Sequence, residues 1–173
     1  MTWQIVGLAA SIFAMYLFAR WFAGLGIGAP WLPVRAQDME AAFRLVDVGP
    51  DDVVVDLGSG DGRLLAASAR RGARVAGYEL NPFMVWWSRR LLAPFGERAA
   101  VHRRNLLSAE LADATVVFIF GMGWIMPAVA EKLRREARRD VRVVSFAFEI
   151  PGWTYEKKDG IALLYRLTEA TAT

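Results

Sequence analysis

The stretch Val53-Val54-Val55-Asp56-Leu57, followed at once by Gly58-Ser59-Gly60-Asp61-Gly62-Arg63, constrains this chain more than any other part of it. A short β-branched run stopped by glycine predicts a strand buried on both faces, and such strands sit centrally in parallel sheets. Arg63 to Arg71 then carries helical spacing, so the glycines occupy a strand-to-helix turn, the place where α/β sheets bind ligands. The rest of the chain repeats this alternation. Further strands are expected at Arg74 to Glu79, Ala100 to Arg103, Thr115 to Phe120, Val141 to Phe148 and Ile161 to Leu167. Helices are expected at Gln37 to Leu45, Pro82 to Ala93 and Trp124 to Arg138. The pattern predicts a mostly parallel, doubly wound α/β sheet. The last strand follows a Pro-Gly loop without a helix, so it is expected to pair antiparallel near an edge.

The loop has its own chemistry. Glycines at 58, 60 and 62 remove the Cβ atoms that keep a ligand from the backbone, and they permit the positive φ of a tight turn. The spacing is G-x-G-x-G, not the G-x-G-x-x-G that directs a helix N-terminus at a pyrophosphate. Asp56 and Asp61 flank it. Carboxylates in the cradle oppose a phosphate and suit a cationic ligand carrying an ammonium and a sulfonium, as S-adenosyl-L-methionine does. Glu79 stands 21 residues after Gly58 at the end of the second strand, where a carboxylate accepts both hydroxyls of a ribose and rejects a 2′-phosphate.

The first thirty residues set a second constraint. Trp3 to Ala19 carries no charge, and beyond Arg20 the chain is uncharged again to Pro30. A bilayer needs about 20 apolar residues, so the run spans one only if it extends to Ile27 with Arg20 snorkelling to the interface. Trp3, Trp21 and Trp31 are spaced as interfacial anchors. No basic residue precedes the run, unlike a signal peptide, and it lacks the polar face of a surface helix. The expectation is a single-pass transmembrane helix with hinge over residues 1–29 and a catalytic domain over 30–173; the alternative is an apolar helix docked on the domain or a partner. Basic residues follow the run, which places the domain on the cytoplasmic side. Alanine and arginine richness suggests a bacterial inner membrane; in a eukaryote it would be the mitochondrial inner membrane.

Composition closes off other classes. A length of 173 residues holds one domain and a short appendage. A hydrophobic fraction of 55% and a mean hydropathy of +0.26 exceed those of an ordinary soluble domain, and the excess is local to the N-terminal run. There is no cysteine and one histidine, His102, which excludes thiolate catalysis and cysteine or multi-histidine metal sites. A net charge of +3 does not demand nucleic acid, and none is expected as a partner.

DLGSGDGR followed by GYELNP resembles the family of small membrane-anchored lysine methyltransferases whose mitochondrial members modify the ATP synthase c subunit or the adenine nucleotide translocase. The likeness runs from about Pro30 to Trp153 and takes in Arg103 to Leu106 and the Pro-Gly-Trp after the fifth strand. It implies a Rossmann-like methyltransferase fold, S-adenosyl-L-methionine as cofactor, and a lysine of a membrane protein as substrate, met at a lipid bilayer. By position, Asp56, Gly58, Ser59, Gly60 and Asp61 would surround the methionine and ribose portion, Glu79 the ribose, and Asn105 with Leu106 the adenine. Many relatives carry aspartate where this chain has Asn105, and an amide can still bond an adenine edge.

Methyl transfer needs a deprotonated nucleophile held in line with the departing sulfur, and a lysine amine with a pKa near about 10.4 must first lose its proton. The fourth strand ends at Phe120-Gly121-Met122-Gly123-Trp124, not at the Asn-Pro-Pro-Tyr of amide and nucleobase methyltransferases. Trp124 and Trp153 are either walls of a lysine channel or packing residues. Glu149 either orients the incoming ammonium or is an exposed edge carboxylate. Of Trp86 and Trp87, one is expected to face the sheet. Arg134, Arg135, Arg138 and Arg139 form a solvated helix face or a contact to anionic lipid.

Overall fold

The computed structural model describes residues 2–24, 34–121 and 123–167, and the chain divides into two units, Met1–Pro30 and Trp31–Thr173. Among the described residues the first unit holds one helix, α1 (Thr2–Gly24). Its described side chains from Ile5 to Leu17 are all exposed, as is Trp3 at 87%. No helix among the described residues is long and apolar enough to cross a membrane, so the transmembrane expectation is not met. The charge-free run stops at Arg20, short of the about 20 residues a bilayer requires. The expected hinge from residue 25 onward and the anchor Trp31 lie outside the described residues, as does the side chain of Trp21.

The second unit alternates as the sequence expects: α2 (Ala36–Leu45), β1 (Val53–Leu57), α3 (Arg63–Arg70), β2 (Arg74–Tyr78), α4 (Pro82–Leu92), β3 (Ala99–His102), β4 (Val116–Ile119), α5 (Met126–Glu136), β5 (Arg142–Phe146), β6 (Lys157–Asp159) and β7 (Ala162–Arg166). Strand order is β3-β2-β1-β4-β5-β7-β6. The first five run parallel, and β7 pairs antiparallel with β5 and β6. The order reverses between β1 and β4, which makes the C-terminal end of β1 the switch point where such sheets take ligands.

One apolar core covers each face of the sheet. Val54, Val116, Phe118, Val144 and Phe146 pack under α2, α3 and α4; Val55, Leu57, Val117, Ile119 and Val143 pack under α5. Side chains alternate along a strand, so Asp56 shares the face of Val54 and continues an apolar column with a carboxylate. β6 has no signal in the sequence, because Lys157-Lys158-Asp159 has no apolar member; it exists through pairing with β7. On α4 the buried positions are Val85, Ser88 and Leu92. That rotation leaves both Trp86 and Trp87 half exposed, correcting the expectation that one faces the sheet.

Candidate active site

The turn after β1 is fastened to the end of β2. Gly58 and Ser59 N–H both donate to the Tyr78 carbonyl, at 2.9 and 3.1 Å, and Gly62 N–H donates to the Ser59 carbonyl at 2.9 Å. Gly60 N–H donates to Glu79 Oε2 at 3.0 Å, while Glu79 Oε1 accepts from Asn81 N–H at 2.8 Å. These four loop amides are therefore spent within the protein, and the loop is not an anion-binding nest. Asn81 likewise caps α4, its Oδ1 accepting from Phe83 N–H at 3.0 Å.

Two of the glycines do different work. Gly58 has φ +94, and a Cβ built on it meets nothing within 4 Å, so its missing side chain leaves open space above the loop. Gly62 has φ +80, and a Cβ there would fall 2.1 Å from Ser88 Oγ, so this glycine lets α3 and α4 approach. Ser59, expected beside the cofactor, packs its hydroxyl against Gly77 instead, where an added Cβ would lie 2.6 Å away. Its contribution to the turn is its backbone.

Asp56 is 7% exposed, and no donor among the described residues bonds its carboxylate. Burial first, then the nearby Glu79 and Asp61 carboxylates, push its carboxyl up to about 8. A charged form disfavoured by desolvation and like charge is recovered when a cation arrives. Asp61 differs: Arg63 Nε lies 3.0 and 2.8 Å from its two oxygens, so its charge is already paired. The loop thus presents one uncompensated carboxylate, not two.

Farther along the same edge, Asn105 opens a short 3-10 turn, its Oδ1 accepting from Leu107 N–H at 2.9 Å, which leaves the amide nitrogen for a ligand. Leu106 packs half-buried against the core under α5. His102 stacks on Tyr78 with centroids 5.1 Å apart, a packing role. After β4, an added Cβ at Gly123 would lie 3.8 Å from the Phe148 ring, so the loops following β4 and β5 meet. Trp124 there is 72% exposed and Glu149 is exposed; Met122 lies outside the described residues. Trp153, expected as a possible channel wall, is 7% exposed and packs edge-on against Tyr165, with the Arg134 guanidinium 5.8 Å above it. Its ring is core. Ala147, which the sequence gives no reason to notice, holds φ +65 just after β5, a strained setting of the kind found beside functional sites.

A doubly wound sheet with a glycine turn at its switch point, spent loop amides and a buried free carboxylate defines a Rossmann-like methyltransferase domain, whose cofactor is S-adenosyl-L-methionine. Residues 56–157 match the model described as the ANTKMT methyltransferase domain, and the chain belongs to that family. It is 35% identical over 139 residues to the lysine N-methyltransferase of the ATP synthase c subunit from Mus musculus, covering 76% of this chain and 53% of that protein. It is 30% identical over 131 residues to a protein-lysine N-methyltransferase of Saccharolobus islandicus, covering 72% of this chain and 80% of that one. The chain spans about half to three fifths of the length of the mammalian ATP synthase methyltransferases it matches. Among solved structures, an RNA methyltransferase from Salinibacter ruber in complex with S-adenosyl-L-homocysteine superposes with a TM-score of 0.75 at 26% identity, covering 80% of this chain and 95% of that one.

The residues present fit the cofactor. Free space over Gly58 admits a ligand to the backbone, and the uncompensated Asp56 carboxylate calls for a cation. Bound there, S-adenosyl-L-methionine supplies a methyl carbon made electrophilic by its sulfonium.

Proposed function

We propose that this chain transfers methyl groups to lysine side chains of a membrane-associated protein. The observation that carries the reading is the buried, unpaired Asp56 beside the open face of Gly58, in a chain whose relatives are named for lysine methylation. In this reading Asp56 faces the cationic methionine portion. Glu79 accepts the ribose hydroxyls with the lone pairs left beside Gly60 and Asn81, and the Asn105 amide with Leu106 holds the adenine. Asp61 steadies the turn through Arg63. Glu149, exposed beyond the strained Ala147, orients the incoming ammonium, which loses its proton to water before the neutral amine attacks the methyl carbon. Trp153 supports this region from the core.

We further propose that residues 1–29 attach the domain to a membrane. The exposed apolar side chains of α1 support this, since burying them against a partner or lipid removes a large apolar surface from water. Catalysis at the bilayer would reach either protein or lipid. Incubating the chain with matching membranes and S-adenosyl-L-methionine labelled in the methyl group distinguishes the outcomes. Label in protein, on lysine by mass spectrometry, supports the proposal. Label in extractable lipid or quinone, or no label at all, overturns it in favour of a lipid methyltransferase or a cofactor-binding assembly protein.

A further inference from the structure

The proposed function leaves unused an exposed aromatic face beside the site. Phe83, Trp86 and Trp87 stand at i, i+3 and i+4 on α4, so they share one side of the helix, and they are 61%, 50% and 53% exposed. Phe83 and Trp86 have centroids 5.9 Å apart, and Trp86 and Trp87 6.3 Å. A contiguous aromatic patch of this kind marks a surface made to meet something other than water.

Arginines border it. The Arg90 guanidinium lies 4.9 Å over the Trp86 ring. A groove of about 660 Å³ opens among Trp86, Arg89, Arg90 and Arg103. Arg89 donates through Nε and Nη2 to the Val101 carbonyl at 3.1 and 2.8 Å, and Arg103 Nε to the Leu80 carbonyl at 3.4 Å, which fixes both guanidinium groups and leaves further N–H donors on each. Among the described residues, no ion pair engages Arg89, Arg90 or Arg103.

Arg135 at the end of α5 and Arg138 just past it form the contrast. Arg135 pairs with Glu131 and Glu136, and Arg138 with Asp140, so that face carries its own counter-charges. On α4 the counter-charge must come from outside.

We propose that the outer face of α4, with Arg103, docks on an anionic phospholipid surface. Tryptophan and phenylalanine settle at headgroup depth, and the guanidinium groups around the groove take the lipid phosphates. α4 begins three residues beyond Glu79, whose carboxylate holds the glycine turn, so docking through this face sets the cofactor mouth at the bilayer surface. The inference extends the proposed function and depends on it only for its purpose.

The test uses the full chain bound to vesicles with brominated acyl chains, made of phosphatidylcholine alone or mixed with phosphatidylglycerol. Tryptophan quenching is compared between the protein and its Trp86→Phe/Trp87→Phe variant, because the difference isolates these two residues among the seven tryptophans. The expected result is a quenching difference with the anionic vesicles, lost at high salt and lost in Arg90→Gln/Arg103→Gln. The same quenching in protein and variant, or a difference indifferent to phosphatidylglycerol, overturns the proposal. So does a fluorescence change at Trp86 and Trp87 that appears with membrane proteins in detergent and without lipid, which would make α4 a protein-docking face. Affinity for S-adenosyl-L-homocysteine, measured on the same preparations, reports separately on the methyltransferase reading.

Discussion

Asp52 and Asp56 stand at opposite ends of β1 and live under opposite rules. Asp52 accepts from Thr115 Oγ1 at 2.6 Å and from Gly49 N–H at 2.9 Å, and it is ion-paired with Arg142. Its charge is answered on every side, and it ties the start of β1 to β4 and β5. Asp56 has no such partner, lies among two other carboxylates and is held near neutrality by burial. A carboxylate that serves the fold is satisfied within the fold; one that serves a ligand is left unsatisfied until the ligand arrives.

The largest expected effect comes from Asp56→Asn. Affinity for S-adenosyl-L-methionine should fall roughly a thousandfold, about 4 kcal/mol, as for removal of one partner from a buried charge pair. Stability should move the other way. The folded carboxyl titrates at about 8 against 3.8 when exposed. Ionisation therefore costs nothing below the lower value, costs more as pH rises between the two, and costs its full amount above the upper one. The ligand-free protein should lose stability across that window, and the Asn variant should not, which thermal melts at a series of pH values would read.

Asp52→Ala should invert both results. Leaving the mostly buried Arg142 uncompensated should cost about 3 kcal/mol in denaturant unfolding, with cofactor affinity unchanged. If Asp52→Ala weakened binding as strongly as Asp56→Asn, the contrast between the two ends would fail.

The glycines sharpen the same division at smaller scale. Gly62→Ala forces a Cβ into Ser88 and should destabilise by about 2 kcal/mol. Gly58→Ala meets no protein atom, so its cost in stability should be only about 1 kcal/mol for the left-handed backbone, while its Cβ takes the space over the turn and lowers cofactor affinity. The smallest effect is expected at Asn105→Asp, a severalfold change in affinity by calorimetry, because the capping bond to Leu107 is kept.

Much of the frame could be read in the chain itself. β1 ends where a β-branched run meets glycine, and α3 follows because Gly62 is the last residue of the turn that holds positive φ. Asp56, Gly58 and Glu79 come together because the ends of adjacent parallel strands must. What escaped the sequence depends on contacts with no local signal. Lys157-Lys158-Asp159 becomes a strand only because β7 offers an unpaired edge. The pairing of Asp61 with Arg63 depends on how the turn folds, and that pairing removes one of the two carboxylates on which the sequence argument for a cationic cradle rests. Both tryptophans of α4 face outward because the helix turns its small Ser88 toward Gly62. The charge-free run before Arg20 forms a helix, as its composition suggests.

The central claim is that a buried, protonated Asp56 ionises to receive a cation, and proton release on binding measures this most directly. Titrating S-adenosyl-L-methionine into the protein at neutral pH, in buffers of different ionisation enthalpy, should show close to one proton more released by the protein than by Asp56→Asn. Equal release from the two, with equal affinity, would contradict the account.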